Sequence, residues 1–234
     1  MEASRAPAPA AAASSSSAGA DADARLFEAV RAGDLAAAQA AVAGGASVSA
    51  QGLYGLEPLH YACANGRLGI AQWLHSAGAS VNATIGGGYT PLHYACLSGR
   101  LNIAQWLHSV GVSLDATNDD GDTPLHRACL GGHLELAQWL HSAGASLDAT
   151  DRAGRAPLHI ACSRGHLDVA QWLCSAGADA TLNSNDGSTP AQRLQRHARD
   201  HQLDQQALRS TLACLVRRAQ GPLLCTTDMV VVQK

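Results

Sequence analysis

The chain has 234 residues, 47% of them hydrophobic and 15% charged, with a formal net charge of −3. That is enough apolar material for a core, and too little net charge for a disordered polyelectrolyte or a protein that coats nucleic acid. No apolar run approaches the roughly 20 residues of a helical membrane span, so none is expected.

Residues 1–21 are rich in Ala, Pro and Ser and lack the bulky apolar stretch of a signal peptide, so they read as a disordered leader. Residues 22–51 read as a worn unit with two short helices, at 24–32 and 35–43, and with turn glycines at Gly33 and Gly45. From there the chain repeats. Pro58, Pro91, Pro124, Pro157 and Pro190 follow one another at intervals of 33 residues. Cys63, Cys96, Cys129 and Cys162 keep that interval, and so do Trp73, Trp106, Trp139 and Trp172. A fixed period of this length means stacked supersecondary units.

The unit has a physical reading. In Thr123, Pro124, Leu125 and His126 the threonine suits a helix N-cap and the proline suits the first helical position, where no N–H is needed. Gly66, Gly99, Gly132 and Gly165 stand where a helix stops in left-handed backbone, and a second apolar stretch follows at once. In that stretch Leu101, Ile103, Ala104 and Leu107 fall three and four apart, which gives one buried stripe. Gly78, Gly111, Gly144 and Gly177 end it, and turn residues such as Asn118, Asp119, Asp120 and Gly121 lead to the next unit. Helix pairs this short bury their stripes only by stacking.

The period and the recurring TPLHYA-type segment, as in Thr90 to Ala95, resemble the ankyrin-repeat family. The resemblance implies an all-α solenoid of about six units with short β-hairpin fingers. Its parts are a cap at 22–51, repeats at 52–84, 85–117, 118–150 and 151–183, a C-terminal cap at 184–219, and a short tail at 220–234. Both caps are expected to have polar outer faces, and capped ends favour a monomer.

Three chemical alternatives fall to structural readings. His60 with Cys63, and its three counterparts, have a spacing that could ligate metal, but fourfold recurrence points to architecture, and no metal or cofactor is expected. The Gly86–Gly88 run lacks the lysine and hydroxyl of a phosphate loop. Arg193, Arg196, Arg199, Arg209, Arg217 and Arg218 crowd the last unit, but no stacking aromatic lies among them, so a solvated face is expected rather than a nucleic-acid site. No grouping of nucleophile, base and orienter stands outside the repeated positions, so the chain reads as a non-enzyme. The four repeated cysteines lie on helices roughly 8–10 Å apart, too far for disulfides. They read as small buried apolar residues in a chain without a disulfide framework. That favours a reducing, intracellular setting, cytoplasmic or nuclear. His75, His108 and His141 recur beside the tryptophans and read as the solvent edge of a packed tryptophan ladder. A pH-responsive aromatic surface is the sharper alternative, since histidine ordinarily titrates near neutrality.

Function, on this resemblance, is non-catalytic protein binding by an adaptor, scaffold or inhibitor. The positions implied to touch the partner are the finger tips and the inner face of the first helices. They are Leu53, Tyr54 and Leu56, then Tyr89 and Leu97, then Asp119, Asp120, Asp122 and Leu130, then Arg152, Arg155 and Arg164. Their order, apolar then acidic then basic, suits a protein partner of complementary order. The alternative is a role beside a modifying enzyme, as its substrate-recruiting subunit or as its substrate, with Asn82 as a candidate hydroxylation site.

Overall fold

The structure, a computed structural model, describes residues 14–219. The first part of the expected leader and the whole tail, with its Met229–Val232 patch, lie outside the described residues. The chain divides into two units, one made of residues 1–95 and 102–112 and the other of 96–101 and 113–234.

The first unit contains α1 (Ser14–Ala32), α2 (Leu35–Ala43), α3 (Pro58–Ala64), α4 (Leu68–Ser76), most of α5 (Pro91–Leu97) and all but the first residue of α6 (Leu101–Ser109). Asp34 starts α2 by accepting the Ala37 amide at 2.9 Å. α1 packs on α2 and α3, and α3 packs on α4. The core they share includes Leu26, Val30, Leu59, Ile70, Leu74, Leu92, Ile103 and Leu107, all buried. At about 1.5–3 kcal/mol for each large side chain withdrawn from water, this stripe is the main favourable contribution.

The second unit contains the last turn of α5, then α7 (Pro124–Gly131), α8 (Leu134–Ser142), α9 (Pro157–Arg164), α10 (Leu167–Ala176), α11 (Pro190–Asp200) and α12 (Gln205–Ala219). α7 packs on α8 and α9, α9 on α10 and α11, and α10 on α12. Leu125, Leu136, Leu140, Leu158, Leu173 and Leu194 fill the interior.

The expected turns are present. Gly132 and Gly165 cap α7 and α9 with φ of 73° and 72°. The left-handed conformation is one reason for glycine, and crowding is the other. A Cβ on Gly132 would stand 2.5 Å from His166 Nδ1, and one on Gly99 would stand 2.6 Å from His133 Nδ1. Those histidines are ties. His133 Nε2 meets the Leu97 carbonyl at 2.9 Å and His166 Nε2 meets the Leu130 carbonyl at 3.2 Å. In the first unit Arg67 reaches the Arg31 carbonyl in the same manner at 3.0 Å.

Four expectations need correction. α1 starts at Ser14, so residues 14–21, assigned by composition to a leader, are helical. The fingers are not β-hairpins. Each is closed by one backbone bond from its first amide to the carbonyl four residues on, as from Asn118 to Asp122 at 3.1 Å, and the Ile85–Tyr89 bridge is the only β pairing among the described residues. α2 lacks the expected polar outer face. Gln39 is its one polar residue, while Leu35, Ala36, Ala37, Ala40 and Ala43 are exposed. Finally, a disulfide joins Cys174 to Cys214, although the four repeated cysteines are free and buried as expected.

Candidate protein-binding surface

The fingers are held by the recurrent histidine of the first helix. In the second finger's helix, His93 Nδ1 faces the Thr90 hydroxyl at 2.8 Å and the Thr90 amide at 3.2 Å. His126 treats Thr123 alike, at 2.9 and 3.2 Å. A nitrogen that accepts an amide hydrogen carries none itself, so the other ring nitrogen holds the hydrogen and donates. His60, His126 and His159 donate from Nε2 to the carbonyls of Tyr89, Arg155 and Ser188 at 3.3, 2.8 and 3.2 Å. Each carbonyl lies 29 residues downstream at the foot of the next finger. Burial lowers all three histidines and keeps them neutral, His60 to about 4. In the first finger Glu57 stands where Thr90 and Thr123 stand later, and it makes no side-chain cap. His60 Nδ1 has no hydrogen-bond partner there.

Behind the first unit's fingers, Tyr89 is half-buried, its ring edge-on to His93 and Tyr94 at centroid distances of 6.0 and 6.1 Å. Leu56 is also half-buried. The tip is different. Leu53 is 75% exposed and Tyr54 is 90% exposed. Tyr54 has φ of 60°, the one non-glycine residue with positive φ among the described residues. One period on, the same place in the next finger is Gly87, with φ of 86°.

In the second unit the fingers brace one another. The Arg152 amide donates to the Asp120 carbonyl and the Asn185 amide to the Ala153 carbonyl, both at 2.8 Å. Asp119, Asp120, Arg152 and Arg164 are exposed, and Leu97 and Leu130 are half-buried. Asp122 is not a tip residue. It is 7% exposed and pairs with Arg127 at 3.4 Å, because the turn folds its carboxylate back toward α7. Arg155 is likewise engaged, its Nε 2.6 Å from Asp151 Oδ2, whose carboxylate also accepts the Ala153 and Arg155 amides. Arg193 pairs with Asp186 at 3.0 Å. Hydrogen bonds from Ser184 and Ser188 hold the Asp186 carboxyl far below the usual range, with Arg193 adding to them. Sequence reading missed this finger-to-helix pairing, since the partners lie at no constant spacing.

The tryptophans are half-buried in the second helices, and His75 and His141 stand exposed at the edge, as expected. Each histidine ring meets the tryptophan of the following helix edge-on, His75 to Trp106 at 6.0 Å and His141 to Trp172 at 6.1 Å. Asn82 is exposed in a turn where its amide donates to Ser80 Oγ at 3.3 Å. Among the described residues no cluster of His, Cys, Asp and Glu has the arrangement of a metal site, and no helix is long and apolar enough to cross a membrane.

Paired helices that recur every 33 residues, joined by one-bond fingers of which those at 85–89, 151–155 and 184–188 are tied to a first-helix histidine of the preceding unit, define a class of stacked interaction repeat. A family model of ankyrin repeats, in three copies, matches residues 26–118 and 103–186, well over half of the chain. The chain belongs to the ankyrin-repeat family. Comparison with curated proteins gives no match.

Proposed function

We propose that the chain is a non-catalytic adaptor, scaffold or inhibitor that binds a protein partner through its finger tips and first-helix faces, within a cytoplasmic or nuclear setting. Ankyrin repeats are generally modules of protein–protein interaction, and Tyr54 carries the reading for this chain. A large aromatic ring is held in water on strained backbone, at a place where the next finger has glycine. Neither its packing nor its conformation stabilises the fold, while aromatic residues and arginines dominate binding hot spots. The exposed Leu53 extends the apolar tip. Asp119, Asp120, Arg152 and Arg164 supply charge on the second unit. Asp122, Tyr89 and Arg155 support the fingers from behind.

The test compares partners captured from native extract by the wild type, by a tip variant with Leu53→Ala and Tyr54→Ala, and by a charge variant with Arg152→Glu and Arg164→Glu. All three must first give the same far-ultraviolet dichroism. Loss of the same protein from both variants supports the reading. Equal recovery by all three rejects it. Exposure of Asn82 favours the second reading, in which the chain is substrate of a modifying enzyme; a peptide containing Asn82 without an added oxygen in cells would count against that role.

A further inference from the structure

The second helices carry histidine at one exposed place, His75, His108 and His141, until the fourth carries Cys174. On the neighbouring helix α12 a second departure answers the first. Cys214 joins Cys174, their Cα atoms 6.4 Å apart, inside the span that a disulfide tolerates. Two unrepeated cysteines thus meet across one helix contact, while the repeated ones stay free.

The surroundings favour chemistry at this pair alone. Cys63, Cys96, Cys129 and Cys162 are fully buried, and burial pushes the Cys63 and Cys129 thiols far up and Cys162 to about 12, which withholds their thiolates. Cys214 is half-buried, so an oxidant reaches it, whereas Cys174 is fully buried behind it. Arg218, one turn beyond Cys214, donates Nε to the Cys174 carbonyl at 2.9 Å, which brings a cation to the Cys174 backbone.

We propose that Cys174 and Cys214 form a thiol-oxidation site that a hydroperoxide closes and a dithiol reductant opens, and that its state sets how firmly α12 is held on α10. The Cys214 thiolate attacks one peroxide oxygen, the O–O bond breaks, and the departing oxygen takes a proton to leave as water or alcohol. Cys214 is then a sulfenic acid. The Cys174 sulfur attacks that sulfur, its thiol proton passes to the hydroxyl as the S–O bond breaks, and the hydroxyl leaves as water. The two thiols lose two hydrogens in all and the peroxide is reduced. A dithiol reverses this by thiolate attack on the disulfide and leaves as its own cyclic disulfide.

Without the bond, α12 keeps limited anchorage. Gln171 Nε2 has the Ala207 carbonyl, Ser210 Oγ and Thr211 Oγ1 in reach at 3.2, 2.6 and 2.9 Å, and Leu208, Thr211 and Leu215 are buried. Arg218 and the packing of α12 on α11 add to these, but a helix held by noncovalent contacts alone opens locally far more often than one also tied covalently.

The experiment uses the full chain, hydrogen peroxide and dithiothreitol, with peptide mass spectrometry and amide hydrogen exchange. Peroxide is expected to yield a peptide pair joined through Cys174 and Cys214, lighter by two hydrogens than the separate thiol peptides and separated by dithiothreitol. Amides of 205–219 are expected to exchange roughly tenfold or more faster in the reduced chain. Cys214→Ser should exchange fast under both treatments. The comparison within the wild type stands even if that variant folds poorly, since reduction removes the bond without changing the sequence. Peroxide that joins a different pair, or drives Cys214 to sulfinic acid with no link to Cys174, overturns the proposal. So does equal exchange of 205–219 in the oxidised and reduced wild type.

Discussion

Tyr54 and Gly87 occupy the same place in successive fingers with the same sign of φ, and only one of them has a side chain to strain. A non-glycine residue in the left-handed region costs about 1–3 kcal/mol, part of which glycine gives back through the entropy of its unfolded chain. Tyr54→Gly should therefore stabilise the protein by about 0.5–1 kcal/mol in urea unfolding. Partner capture should fall in the same variant. A variant that loses stability would mean that the ring supports the finger after all. The exposed residues Leu53, Tyr54, Asp119, Asp120 and Arg152 at turn positions, and Arg164 at the end of α9, could be read from sequence because the stack leaves these places unspecified. Asp122 and Arg155 could not. Whether a finger carboxylate points into water or back to an arginine of its own finger or of the following helix depends on turn geometry, and the partners Asp122–Arg127, Asp151–Arg155 and Asp186–Arg193 have no common separation.

At the scale of elements, punctuation was legible. The helices starting at Pro58, Pro91, Pro124, Pro157 and Pro190 follow from proline at the first position, and the 35–43 helix of the first cap agrees with α2 at both ends. The start of α1 was not legible, because Ala and Ser support helix and loose coil alike. Glycines that look equivalent in sequence differ in what surrounds them. Gly132→Ala should cost about 2–3 kcal/mol, combining left-handed strain with displacement of the His166 ring from its tie to Leu130. Gly45→Ala, with φ of 99° and nothing within 4 Å of the added carbon, should cost about 1 kcal/mol. Thermal or urea unfolding of the two variants checks the contrast, and equal costs would remove the argument from crowding.

Across the whole molecule, the buried histidines make stability depend on pH in one direction. Unfolded, His60 titrates near 6.5, and folded near 4, because desolvation disfavours its charged form. Above pH 6.5 both states are neutral and the stability is present in full. Between 6.5 and 4 the unfolded chain binds a proton that the folded one refuses, so stability falls as pH falls. His60 alone accounts for a loss on the order of 3 kcal/mol across that window, and His126 and His159 act in the same sense. Urea midpoints measured through the window should decline steadily; a flat profile would show that these rings are protonated in the fold.

The ties from His60 to Tyr89, His126 to Arg155 and His159 to Ser188 all span 29 residues, and those from His133 and His166 span 36. No bond in this set joins distant parts of the sequence, so loop closure is short throughout, and short closures favour fast folding. During translation each hairpin therefore waits only for the next one to leave the ribosome before its histidine finds a carbonyl, and the protein can assemble in the order in which it is made.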